Sequence, residues 1–114
     1  MTHRWTAHAR HILDAIAKIR RIEARGDITQ DDILYDAALR NLQTLSESTQ
    51  RLPEDLKALA EEIPWRAISG FRNIPVHNYL GNIDPITVHK VIQEHLHPLE
   101  KRLTEWLKNS DEQG

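Results

Sequence analysis

Cysteine is absent from the 114 residues. That excludes a disulfide framework, a thiolate zinc site and a cysteine nucleophile. Glycine and proline are scarce, 4 and 5 residues, which excludes collagen-like and Pro/Gly-rich disordered chains. No apolar run approaches the roughly 18 residues of a membrane span. The opening stretch MTHRWTAHARHILD has neither an apolar h-region nor a small-residue cleavage site. A cytoplasmic protein with no membrane association is therefore expected. Alternating apolar and polar residues, the mark of a half-buried strand, are also missing.

At 13.2 kDa the chain fits one domain, and one of this size buries about two thirds of its unfolded surface, enough for a core without staples. The net charge of −2 hides an asymmetry. Residues 1–26 carry six basic side chains against two acidic; residues 27–62 carry three against nine; residues 63–114 carry six of each. A basic first segment attracts a polyanion such as RNA. The plainer reading is a solvated helix face paired against the acidic second segment.

What is present is helical periodicity. Trp5, Ile12, Ile16 and Ile19, with Leu13 and Ile22, make one stripe at the 3.6-residue period. Gly26 is placed to cap its C-terminus. Thr29 and Asp32 have the spacing of a capping box for a second helix carrying Leu34, Ala38, Leu42, Leu45 and Thr49. Pro53 suits the first turn of a third helix over 53–62 with Leu56, Leu59 and Ala60. Pro64 opens a fourth with Trp65, Ile68, Phe71, Val76 and Leu80. After a turn at 81–85, Asp84 as N-cap and Pro85 as first residue start a fifth, with Val88, Ile92, Leu96, Leu99, Leu103 and Trp106 on its apolar face. Pro75 and Pro98 should break or bend the helices that hold them. The expected architecture is all-α: an antiparallel up-and-down bundle of four to five helices, one domain over 1–108 with a polar frayed tail at 109–114.

Seven histidines invite a search for metal ligands. His8 and His11 lie three apart on one helix face, and His95 and His97 lie two apart. No HExxH occurs, and zinc needs three or four convergent ligands. These and His89 read as helix-surface or partly packed residues, so no metal site is expected. The stretch from Arg72 to Tyr79 is different, because it sets a guanidinium, the His77 imidazole and a phenol within eight residues. Arginine is a permanent cationic fork that matches phosphate oxygens. Histidine passes protons at neutral pH. Tyrosine donates to a phosphate or stacks on a base. On an ideal helix Arg72 and His77 diverge by about 140°, so a kink at Pro75 or a second copy of the chain is needed to bring them together. From spacing alone, a plainer set of roles stays open: Arg72 paired with an acid, His77 half-buried, Tyr79 packed.

The pattern Arg-x4-His-x-Tyr formed by Arg72, His77 and Tyr79 resembles the signature of HepT-like proteins, members of the HEPN (higher eukaryote and prokaryote nucleotide-binding) superfamily. Asp36–Gln43, Ile63–Asn73, Ile83-Asp84, Val88 and Leu96–Leu99 resemble the family's flanking segments. The likeness covers roughly residues 5–107 and implies a HEPN-like helical bundle that dimerises, with two copies of the motif near the interface. It implies a toxin of a two-gene toxin–antitoxin module, acting as a metal-independent endoribonuclease without a cofactor. It also implies an antitoxin partner, a minimal nucleotidyltransferase (MNT) that neutralises the toxin by transferring AMP to the motif tyrosine. Arg72 and His77 would be catalytic, Tyr79 the modification target, and Asn73 a supporting residue. Two departures stand out: Pro75 where an aliphatic residue is commoner, and His89 where a tryptophan is expected, which would loosen packing near the site.

The motif offers no carboxylate pair for a two-metal mechanism, so RNA's own 2′-hydroxyl is the expected nucleophile. Two other readings compete. One is a non-catalytic nucleotide- or partner-binding companion of a nucleotidyltransferase. The other is a structural dimer whose motif is an interface hydrogen-bond network.

Overall fold

The computed structural model describes residues 4–73 and 85–112. Five α-helices and one 3₁₀ turn make up its secondary structure: α1 (Arg4–Arg25), α2 (Asp32–Thr49), α3 (Glu54–Lys57), α4 (Trp65–Ser69), the 3₁₀ turn Gly70–Asn73, and α5 (Pro85–Glu112). The class is all-α, and no strand occurs among the described residues.

The longest stripes pack as their periodicity requires. Ala9, Ile12, Ala15, Ile16 and Ile19 of α1 are buried against Tyr35, Ala38, Leu39, Leu42 and Leu45 of α2. Trp5, Leu13, Ile22 and Leu34 close the edges of this core. Val88, Ile92, Leu96, Leu99, Leu103 and Trp106 of α5 are all buried. At 1.5 Å per residue α5 is about 42 Å long, so it runs most of the molecule's 47 Å long axis. It docks on α1 through the Arg20–Glu100 ion pair at 2.7 Å and through Gln93, which donates to Glu23 at 3.0 Å.

Three local expectations are corrected. Asp31, not Thr29, caps α2: its extended backbone lets the carboxylate accept from the Ile33 and Leu34 amides at 2.9 and 3.2 Å. Thr29 instead donates its amide and hydroxyl to Asp27 at 2.9 and 2.7 Å. Those two bonds, with a smaller effect of His89, lower the Asp27 pKa below its ordinary value. Pro53 precedes the third helix, which stops at Lys57. Leu59 is exposed, while Ala60 and Ile63 turn into the core. After Ala58 the bonds shorten from four residues to three: the Leu59, Ala60 and Ile63 amides donate to the Leu56, Lys57 and Ala60 carbonyls at 3.1, 3.0 and 3.1 Å, and these tighter turns leave the α-helical track. Pro64 likewise stands before α4, which covers only five residues before the 3₁₀ turn.

Pro98 lies inside α5, which continues past it to Glu112. Proline inside a helix costs about 3 kcal/mol or more. Beyond it Leu99 and Leu103 are fully buried, and such side chains contribute about 1.5–3 kcal/mol each. That burial outweighs the lost hydrogen bond. Gly26 follows α1 as expected, but its backbone is not left-handed. A Cβ there would lie 2.9 Å from Leu34 Cδ1, so close approach to α2 is what favours glycine.

The C-terminus of α2 is closed by a lysine. Lys57 is 8% exposed, and its ammonium donates to the Thr49 carbonyl at 3.2 Å and faces Glu54 at 3.1 Å. Ser46 and Thr49, both buried, donate their hydroxyls to the Leu42 and Ser46 carbonyls at 2.7 and 2.6 Å. Lys57→Met keeps the aliphatic stem and removes the donor from a helix end. It should cost about 1–3 kcal/mol, read as a lower urea midpoint at unchanged slope.

Candidate active site

The described part of the site is built on Trp65. Its indole N–H donates to the carbonyls of Lys57 and Ala60, both at 3.1 Å. Its ring stacks on Trp106 of α5 at 6.3 Å between centroids and 12° between planes. The same indole therefore fixes the start of α4 to the turn before it and to the last helix. Near the other end of α4, the Gln50 amide bonds the Ser69 hydroxyl. Ile68 and Phe71 are buried, 3% and 7% exposed, and the 3₁₀ turn lies against α2.

With three residues per turn, a 3₁₀ helix rotates about 120° per residue. Sinking Phe71 therefore turns Arg72 outward. Arg72 is exposed and makes no ion pair or hydrogen bond with any described residue. Among the described residues the plainer role for it, a structural pair with an acid, is not taken up. Asn73 ends the turn. His77 and Tyr79 lie outside the described residues, as do Pro75, Val76, Leu80 and Asp84.

Beyond the motif, α5 opens on Pro85, and Val88 is fully buried. His89 takes up a contact that spacing could not reveal. Its Nδ1 is shielded from solvent, has no hydrogen-bond partner, and lies 3.5 Å from Glu23 Oε2, the oxygen that also accepts from Gln93. The imidazole thus joins the first turns of α5 to the last turn of α1, where its departure from the family pattern had suggested looser packing. The only sequence signal was the four-residue spacing of His89 and Gln93, since Glu23 is far away in the chain. His8 is half-buried and His11 exposed. Among the described residues no three His, Asp or Glu side chains converge as metal ligands.

The profile of the HepT-like ribonuclease family matches residues 12–105. The chain belongs to the HepT-like ribonuclease family. A Thermococcus cleftensis protein named for ribonuclease HepT is 30% identical over 100 residues, covering 82% of this chain and 90% of its own length. A candidate RNase of Caldanaerobacter subterraneus subsp. tengcongensis is 28% identical over 82 residues, 72% of each chain. A third relative, a candidate RNase of Methanocaldococcus jannaschii, is 29% identical over 90 residues, 79% of this chain and 81% of its own. No solved structure matches the chain.

In this HepT-like chain the Trp65 clamp can be tested apart from the motif. Trp65→Phe keeps a ring against Trp106 and removes the indole donor from two carbonyls that keep their backbone donors, Ala60 N–H on Lys57 and Ile63 N–H on Ala60. It should cost about 0.5–1.5 kcal/mol, lowering the melting temperature by roughly 4–8 °C per kcal/mol in a calorimetric scan.

Proposed function

We propose that this HepT-like ribonuclease is the cytoplasmic toxin of a toxin–antitoxin module, a metal-independent endoribonuclease active as a homodimer. Arg72 and His77 are its catalytic residues and Asn73 supports them. The observation that carries the reading is Arg72 itself, an exposed guanidinium without a described partner on a turn whose neighbour Phe71 is buried. A cation held ready on a rigid base suits a phosphate. No described helix is long and apolar enough to cross a membrane. Ile86, 64% exposed in the first turn of α5, supports a dimer contact there.

The chemistry follows from the side chains. The RNA 2′-oxygen attacks the adjacent phosphorus, and His77 removes its proton. The bond from phosphorus to the 5′-oxygen breaks, and the partner subunit's His77 protonates that leaving oxygen. Arg72 stabilises the extra negative charge of the transition state. The products are a 2′,3′-cyclic phosphate and a 5′-hydroxyl, and a DNA strand resists because it lacks the nucleophile. His77→Ala should lose about 10²–10⁴-fold in cleavage rate, measured on a defined RNA with its ends mapped, while the wild type keeps full activity in excess EDTA. Undiminished cleavage by pure, folded His77→Ala protein would falsify the assignment.

Tyr79 is the point of control. An AMP group there adds bulk and negative charge where the RNA phosphate binds. The Tyr79 oxygen attacks the α-phosphorus of ATP and pyrophosphate leaves, a transfer catalysed by an MNT-type nucleotidyltransferase antitoxin. Co-expression with such a partner should add about 329 Da per AMP to the chain, read by intact-mass spectrometry. A Tyr79→Phe chain that still gains this mass shows that a different residue is modified.

A further inference from the structure

Helix α1 sorts its charges by face. At about 100° per residue, Arg20 and Glu23 share one side, and there they meet Glu100, Gln93 and His89 of α5. Lys18, Arg21 and Arg25 lie on the opposite side, within about 60° of one another. They line a surface depression of about 320 Å³ with Ile22, Ile33 and Leu34. Lys18 and Arg21 continue into a second depression of about 330 Å³, which His11 and Asp14 also line. Asp14 is the one carboxylate bordering either. The α2 acids Asp32, Asp36 and Glu47 border neither, and no described residue pairs with Lys18, Arg21 or Arg25. The basic first segment is therefore not neutralised by the acidic second one on this face.

We infer that the α1–α2 groove lined by Lys18, Arg21 and Arg25 binds the phosphate backbone of the RNA that this ribonuclease cuts. The inference rests on the ribonuclease reading and adds a substrate-binding surface outside the motif. From Lys18 to Arg25 the helix rises roughly 10 Å, the reach of a few successive phosphates. The groove wall holds Ile22, Ile33 and Leu34 and no aromatic ring, so it offers no platform for stacking bases. Recognition there reads the backbone without regard to sequence. Helix α2 forms one wall of this groove and also packs against the turn that bears Arg72.

The test uses the full chain and a 20-nucleotide 2′-O-methyl RNA, which the 2′-hydroxyl route cannot cut, in fluorescence anisotropy across a salt series. Lys18→Gln/Arg21→Gln/Arg25→Gln should weaken binding at least tenfold at 100 mM salt and flatten the slope of log K against log salt by about 2, since each released phosphate contact on a single strand is worth about 0.7. Arg21→Glu alone should shift both in the same direction, and Lys90→Gln on α5 should change neither. Circular dichroism melts within a degree or two of wild type confirm that each variant is folded. Weakened binding supports the groove even in a protein that cuts no RNA. Unchanged affinity and slope in the triple variant overturn it even in a protein that cuts. If the triple variant keeps its RNA affinity but loses binding to polyglutamate, the groove takes an acidic protein and the RNA assignment falls.

Discussion

Trp65 joins three parts of the chain that no continuous helix connects. Its N–H takes the carbonyls of Lys57 and Ala60, and its ring lies on Trp106. The α3 helix is four residues long and α4 five. Helices this short are not stable on their own in water, because the cost of nucleation is not recovered over one turn. Their geometry is imposed from outside. The indole adds a second donor to carbonyls that already accept from the Ala60 and Ile63 amides, and the buried Ile63, Ile68 and Phe71 fix the rest. The exposed position of Arg72 depends on this arrangement, since it is outward only while Phe71 is inward.

The two long-range ties of α5 are of different kinds. Along the core it is held by continuous apolar burial from Val88 to Trp106, strong enough to carry the helix through Pro98. Toward α1 the ties are polar and partly exposed: His89 and Gln93 converge on Glu23, and Glu100 on Arg20. Exposed ion pairs contribute at most about 1 kcal/mol each. They act less as stabilisers than as register marks that set which face of α1 turns toward α5. With Glu23 and Arg20 committed to that side, Lys18, Arg21 and Arg25 are left facing the α2 side, where no carboxylate of α2 pairs with them.

The long elements were legible in the sequence because their information is local and repeated. The stripes of α1, α2 and α5 each hold four or more apolar residues at one period, and Pro85 opens α5 as read. Where the reading failed, the cause was a partner distant in the chain or a competition between neighbours. Thr29 and Asp31 both can cap, and Asp27 captures Thr29 first. Leu59 fits a helical stripe, but the chain after Lys57 tightens into three-residue turns that leave Leu59 outside and carry Ala60 inward. The pairing of His89 with Glu23, and the freedom of Lys18, Arg21 and Arg25, depend on tertiary placement that composition does not encode. For the site, the resemblance carried by Arg72, His77 and Tyr79 supplied the chemistry, and the structure contributes the setting of Arg72 alone.

That setting bears on the main objection that spacing raises against the motif. The divergence of about 140° between positions 72 and 77 holds for one unbroken α-helix. Arg72 is not on one. It belongs to a 3₁₀ turn that follows α4, with a rotation of about 120° per residue and a longer rise. The angle between Arg72 and His77 therefore cannot be taken from α-helical geometry, and the divergence ceases to count against a joint role. What the turn does impose is a direction: a charge that leaves the core beside a buried phenylalanine and meets solvent before any described carboxylate. For a group whose partner is to be a phosphate brought by substrate, that is the required starting state, because a guanidinium already paired within the protein would have to break that pair before it could bind.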